Sequence, residues 1–138
     1  MKLVDNGGCF ACGSANDCGL HLSFDYRDGR LKVLYKTEER FQGYKDILHG
    51  GITATLIDEA ASHLAFRKGH LTVTAEIKIK YLKPVPIGEI ISVECEEKYL
   101  RGKILSVSSA VCSSSGIPLA SGEVLLYIIG KYETLQKE

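Results

Sequence analysis

The chain has 138 residues, 45% apolar and 25% charged, which is the composition of one globular domain and excludes disorder for its bulk. Seventeen basic side chains balance seventeen acidic ones, so the basic excess of a dedicated nucleic-acid binder is missing. No apolar run approaches the ~18 residues of a membrane span, and MKLVDNGGCFACG at the start lacks an apolar signal-peptide core; a single cytoplasmic domain over residues 1–138, binding neither membrane nor nucleic acid, is the expectation.

Residues 5–19, DNGGCFACGSANDCG, are rich in Gly, Asn, Asp, Ser and Cys and read as an N-terminal loop. Leu20, Leu22 and Phe24 then alternate with His21, Ser23 and Asp25. Arg27-Asp28-Gly29 makes a turn, and Leu31, Val33 and Tyr35 resume the alternation, which predicts a β-hairpin. Residues 38–51 are polar with interspersed aromatics and end in His49-Gly50-Gly51. From Ile52 to Arg67 there is neither Pro nor Gly, and Ala stands at 54, 60, 61 and 65. With Ile52, Leu56, Ile57, Leu64 and Phe66 the apolar groups run nearly all round, so this helix is buried. Lys68-Gly69 stops it with a cation and then a C′ glycine.

After Gly69 the chain reads as strand. Val73, Ala75, Ile77, Ile79 and Tyr81 alternate with Thr74, Glu76, Lys78 and Lys80 until Pro84 and Pro86 break the run. Ile91, Val93 and Cys95 begin the next strand, Arg101-Gly102 turns it, Ile104 to Cys112 is β-branched and serine-rich, and Ser115-Gly116 leads to a last strand marked by Ala120, Val124, Leu126 and Ile128. The tight turns predict antiparallel neighbours throughout this half. Residues 131–138 are polar and are expected to fray. Two strands, one buried helix and four strands make an α+β domain in which a six-stranded antiparallel sheet wraps around its only helix.

Two features carry chemistry. His49-Gly50-Gly51 stands where the helix starts, and the first N–H groups of a helix are unpartnered and sit at the positive end of its dipole. Glycines let a carbonyl approach them, which makes either an oxyanion site or an ordinary Gly-rich turn. Asp58 lies mid-helix among apolar residues, where an ionised carboxylate is costly unless paired or solvated. Its neighbours at i±3 and i±4, Ala54, Thr55, Ala61 and Ser62, are small enough to admit a ligand. Glu59 is the rival carboxylate, and a merely structural pairing of Asp58 is the alternative.

The string HGGITATLIDEA resembles the His-Gly-Gly-x6-Asp-x-Ala signature of hotdog-fold acyl-CoA thioesterases, in the branch of the phenylacetate-pathway and bacterial 4-hydroxybenzoyl-CoA enzymes. Residues 76–88, EIKIKYLKPVPIG, are similar to the family strand ending in Tyr-Leu-x-Pro, and Cys9-x-x-Cys12-Gly13-x-x-Asn16-x-x-Gly19-Leu20 resembles a prelude of some members. The resemblance covers residues 9–130. It implies the hotdog fold and hydrolysis of an acyl- or aryl-CoA thioester without a cofactor. His49 and the N–H groups of Gly50 and Gly51 would polarise the carbonyl, Asp58 would be nucleophile or general base, and Ser62 would orient water or the carboxylate. Thr55 lies beside the substrate in this reading, and Lys83, Arg101 and Lys103, at turns flanking strands, are candidates for the nucleotide phosphates. A non-catalytic acyl-CoA-binding or sensing module on the same fold is the alternative.

Gly50 and Asp58, eight residues apart on one helix, are separated by about 12 Å. A reacting carbonyl must lie ~3 Å from both donor and base, so a single helix cannot build the site. Two antiparallel copies about a two-fold axis can, which predicts a homodimer, or a dimer of dimers, with sites across the interface.

Cys9-x2-Cys12-x5-Cys18-x2-His21 offers four ligands with the chemistry of a closed zinc site. Reduced loop thiols or a redox-sensitive pair is the reading preferred for them, and no metal is assigned. Cys95 and Cys112 read as small core residues.

Overall fold

The computed structural model describes residues 2–138. In chain order the elements are β1 (Val4–Asp5), β2 (Asp25–Arg27), β3 (Arg30–Lys36), a 3-10 turn (Glu39–Phe41), α1 (Gly50–Arg67), β4 (His70–Tyr81), β5 (Ile90–Arg101), β6 (Ile104–Ser113), β7 (Pro118–Lys131), a second 3-10 turn (Tyr132–Thr134) and β8 (Gln136–Lys137). Six strands form one antiparallel sheet in the order β2-β3-β5-β6-β7-β4, and β1 pairs with β8 in a separate parallel ribbon. This is the hotdog architecture: one long helix packed on the concave face of the sheet.

Leu56, Ile57, Ala60, Ala61, Leu64 and Ala65 on α1 are fully buried against Leu31, Val33, Ile91, Val93, Leu105, Val107, Val124 and Leu126 of the sheet. Helix and sheet approach closely at Gly122 on β7, where a Cβ would stand 3.0 Å from Ile57 Cγ2. Glycine is needed there for approach, not for backbone conformation. α1 begins at Gly50, two residues earlier than the sequence pattern predicts, because the N–H groups of both Ile52 and Thr53 bond to the His49 carbonyl. It ends at Arg67 as predicted, followed by Gly69 at φ +89°.

Three expectations are corrected. The first hairpin strand does not start at Leu20: His21 sits at φ +52° and the N–H groups of Leu20 and Leu22 bond to the carbonyls of Phe10 and Ala11, so only Asp25–Arg27 is strand. The alternating leucines are nonetheless buried, and it is this packing that produced the strand-like pattern. The C-terminal residues, read from sequence as a polar tail, carry regular structure. Lys131 still belongs to β7, and β8 pairs with β1, closed by the Glu138 N–H on the Asp5 carbonyl at 2.8 Å.

The strands after the helix do not follow one another in the sheet in chain order. β4 does not neighbour β5; it crosses to the far edge beside β7. The connecting segment leaves the sheet at Pro84 and Pro86, whose missing N–H groups cannot extend a ladder. It docks instead on the loop before the helix, with the Leu48 N–H on the Val85 carbonyl at 2.8 Å.

Candidate active site

Asp58 projects from the middle of α1 toward β4, and the Thr74 hydroxyl donates to its Oδ1 at 2.6 Å. That length is typical of a hydroxyl on an ionised carboxylate. Thr74 reaches the helix side because β4 is bulged. Thr74 pairs with Leu126 and Glu76 with Leu125, leaving Ala75 unpaired between them. Thr74 and Ile77 therefore face the same side of the sheet although three positions separate them, and the strand changes parity beside the carboxylate. Simple alternation places Thr74 on the solvent face, which is why the sequence pattern missed it.

At the helix start, His49 is the N-cap, and its Nδ1 accepts the Gly51 N–H at 2.9 Å. In that arrangement Nδ1 carries no proton, so a neutral ring bears its proton on Nε2. His49 and Gly51, expected to act together as carbonyl donors, thus satisfy each other. Among the described residues, the Gly50 N–H has no acceptor and is the free donor of the motif. The Tyr81 hydroxyl, at the end of β4, donates to the Gly50 carbonyl at 2.7 Å and holds this first turn to the sheet. Tyr81 is a second residue the sequence pattern did not single out.

A cleft of about 330 Å³ opens beside Gly50, lined by Leu48, Thr53, Tyr81, Lys83 and Val85 among others. Lys83 is therefore at the helix-start end of the site. Arg101 and Lys103 are at the other end of the sheet: Arg101 pairs with Ile104, Ile104 with Tyr127 and Tyr127 with Val73, next to Thr74. The Arg101 guanidinium lies 4.5 Å over the Tyr99 ring. Thr55, half-buried between the two catalytic candidates, uses its hydroxyl on the Gly51 carbonyl at 2.9 Å. Ser62 sits one turn beyond Asp58, also half-buried.

Glu59, the rival carboxylate, faces elsewhere. Its Oε1 lies 3.3 Å from His63 Nε2 and accepts from Cys9 Sγ at 3.7 Å. Burial would raise its pKa, but hydrogen bonds from His63, Cys12 and Cys9 outweigh that and hold it below the ordinary value. Burial and the adjacent Glu59 push the Cys12 thiol well above its usual range. Cys9, Cys12 and Glu59 converge here. Cys18 and His21, named with the first two as possible metal ligands, do not join them: both are exposed, and His21 is in the left-handed conformation noted above.

Residues 45–120 match the model of the thioesterase superfamily, and the chain belongs to that family. It is 30% identical over 113 residues to acyl-coenzyme A thioesterase THEM4 of Rattus norvegicus, covering 78% of this chain and 49% of that protein. The chain thus spans about half the length of that relative. Among solved structures, smu.793 of Streptococcus mutans UA159, bound to acetyl CoA, superposes with a TM-score of 0.76 at 20% identity, over 80% of this chain and 90% of that one. A hypothetical thioesterase protein of Streptococcus pneumoniae TIGR4, solved with an aspartate replaced by alanine, superposes with a TM-score of 0.75 at 19% identity, over 79% of this chain and 91% of that one. The same protein was also solved with a threonine, sixteen positions further on, replaced by alanine. No helix among the described residues is long and apolar enough to cross a membrane.

Proposed function

We propose that the protein is an acyl-CoA thioesterase that hydrolyses an acyl- or aryl-CoA thioester to the free acid and CoA, in a site shared between two antiparallel copies of the chain. The observation that carries the reading is the Asp58–Thr74 pair, whose carboxylate stands on the same helix that presents the Gly50 N–H in its first turn. Asp58 and Thr74 are sixteen positions apart, the spacing of the two residues replaced in the pneumococcal protein.

With Oδ1 held by Thr74, Oδ2 of Asp58 is the oxygen left to take a proton from water. The water oxygen attacks the thioester carbonyl, the Gly50 N–H and the helix dipole stabilise the oxyanion, and collapse expels the CoA thiolate. The proton taken by Asp58 then balances the leaving sulfur. Ser62, one turn on, orients the water.

The dimer follows from the about 12 Å between Gly50 and Asp58 within one chain. β4 lies at the sheet edge, and Ile77 on it is 37% exposed. A long free edge of this kind is a template for pairing with another copy. In the two-fold arrangement each site combines Asp58, Thr74, Arg101 and Lys103 of one chain with Gly50, Thr55 and Lys83 of the other. The basic residues from opposite ends of the sheet then meet at one mouth, suited to the phosphates of CoA. Assembly of dimers into tetramers and a cytoplasmic setting, the latter on cysteine usage, complete the proposal.

The deciding experiment is a thiol-release screen over alkyl- and aryl-CoA esters with the parent protein and Asp58→Asn. Hydrolysis of at least one ester, lost in the variant, supports the enzyme. Tight CoA-ester binding with no turnover by the parent would make the chain a binding module.

A further inference from the structure

On a different face of α1 from the Asp58–Thr74 pair, the N-terminal loop packs on the helix. The loop is tightly wound at this point. The Gly13 N–H bonds to the Cys9 carbonyl at 2.8 Å, and a Cβ on Gly13 would lie 2.3 Å from the Gly7 carbonyl oxygen and 2.4 Å from the Cys9 nitrogen. Only glycine closes this turn, and the turn brings Cys9 and Cys12 to one face.

Opposite them stands Glu59, with His63 one helical turn later. Their side chains are 17% and 23% exposed. Among the described residues, no Lys or Arg forms an ion pair with Glu59; its only such partner is His63. The His63 ring is stacked on Phe24 with centroids 3.6 Å apart, which orients Nε2 toward the carboxylate. A carboxylate so enclosed, facing two thiols and an imidazole, is an arrangement suited to a cation.

We propose that Cys9, Cys12 and Glu59, with His63 as the fourth ligand, bind a thiolate-preferring divalent cation, Zn²⁺ above all, which clips the N-terminal loop to α1. The ligand atoms of the first three residues already lie within 4.8 Å of one another. Zinc bonds of ~2.3 Å to sulfur and ~2.0 Å to oxygen or nitrogen set neighbouring ligands roughly 3.3–3.8 Å apart in a tetrahedron. The Cys9 Sγ–Glu59 Oε1 distance of 3.7 Å is within that span. His63 Nε2 already lies 3.3 Å from Oε1, but it stands outside the group of three and must turn toward the sulfurs to complete the set.

Binding displaces the two thiol protons to solvent and leaves the His63 ring neutral with its proton on Nδ1, so that Nε2 offers a lone pair; two thiolates and a carboxylate then surround the dication. The cation would be structural: all four positions are filled by protein, none is left for water or substrate, and Asp58 is engaged with Thr74 instead. Soft sulfur ligands favour Zn²⁺ over Mg²⁺ or Ca²⁺.

The test uses the full-length, fully reduced protein, stripped of metal and titrated with Co²⁺ as spectroscopic probe. The expected result is a thiolate-to-cobalt charge-transfer band that saturates at one ion per chain and is bleached by one equivalent of Zn²⁺. Cys18→Ser and His21→Ala leave the band intact, whereas Cys9→Ser with Cys12→Ser abolishes it and Glu59→Gln weakens binding by about 10- to 100-fold. No band in the reduced parent overturns the proposal, as does a band that depends on Cys18 or survives the double Ser variant. Should the double variant fail to fold, the parent titration with the Cys18→Ser control decides. None of these readouts is hydrolysis, so the outcome is independent of the thioesterase reading.

Discussion

The Thr74 hydroxyl and the Asp58 carboxylate form a short hydrogen bond, 2.6 Å, between a bulged edge strand and the middle of the central helix. The bond orients Asp58 and, in the proposed mechanism, leaves its second oxygen for chemistry. Asp58→Asn preserves volume but cannot accept a proton, and should cut turnover ~10²–10⁴-fold. Thr74→Val keeps the shape and removes the donor. A hydrogen bond to a charged group contributes about 1.5–3 kcal/mol, so a roughly 10- to 100-fold fall in kcat is expected. Thr74→Ser should restore most of it. Equal turnover in Thr74→Val and the parent would reduce this contact to packing.

Glu59→Gln should do the reverse of Asp58→Asn. Its carboxylate serves the loop–helix contact with Cys9, Cys12 and His63, so kcat should stay within a few-fold while the melting temperature falls. Loss of turnover in Glu59→Gln at unchanged stability, with Asp58→Asn active, would exchange the roles of the two carboxylates.

The helix was legible in the sequence because one uninterrupted Ala- and Leu-rich run admits no other reading, and Lys68-Gly69 marks its end. So were the sheet's strand count and the placing of Asp58 within a small-residue face. What local pattern could not show was long-range. The bulge at Ala75 reverses the parity of β4 and turns Thr74 inward. Tyr81 meets Gly50 only because the strand crosses to the far edge of the sheet. Glu59 meets the cysteines across 50 residues of sequence, so spacing within the loop pointed to Cys18 and His21 instead.

Gly50→Pro isolates one backbone donor. Gly50 is the first helical residue, where proline is well tolerated because its N–H is unpartnered within the helix anyway. His49, at φ −57° and ψ 132°, already has the extended backbone that a residue before proline requires. A Cβ at position 50 would make ordinary contacts of 3.5–3.6 Å with the Tyr81 ring. Turnover should fall about 10²–10³-fold, the effect of losing an oxyanion donor, with little change in melting temperature. Activity near the parent's would mean that the Gly50 N–H does not face the reacting oxygen.

A site shared between two copies, as proposed, gives a quantitative expectation for mixed dimers. A chain carrying Asp58→Asn and a chain carrying Gly50→Pro are each inactive alone. After exchange at equal ratio, half the dimers are mixed, and each mixed dimer contains one intact site of two. Activity should therefore recover to about a quarter of the parent's. No recovery despite exchange confirmed by mass would place the whole site within one chain.

His49 has two roles that one substitution cannot separate, so two are needed. His49→Ala removes the acceptor that caps the Gly51 N–H, a loss worth roughly 0.5–2 kcal/mol of stability, or several degrees in melting temperature. It also frees that N–H to join Gly50 as a donor, so the fall in turnover should be smaller than for Asp58→Asn. His49→Asn supplies a new capping oxygen but is too short to place a donor where the imidazole Nε2–H projects. If the ring serves only as cap, His49→Asn recovers both melting temperature and turnover. If Nε2–H also binds the thioester oxygen, His49→Asn recovers the melting temperature alone, and kcat remains depressed by up to the ~10²–10³-fold expected for one oxyanion donor. The Gly51 geometry favours the cap as the larger role for stability: a Cβ on Gly51 would stand 3.0 Å from Nδ1, so the ring already occupies the space directly above that N–H. Gly51→Ala should accordingly mimic His49→Ala in melting temperature by pushing the ring aside, and a Gly51→Ala protein as stable as the parent would remove the cap from the account.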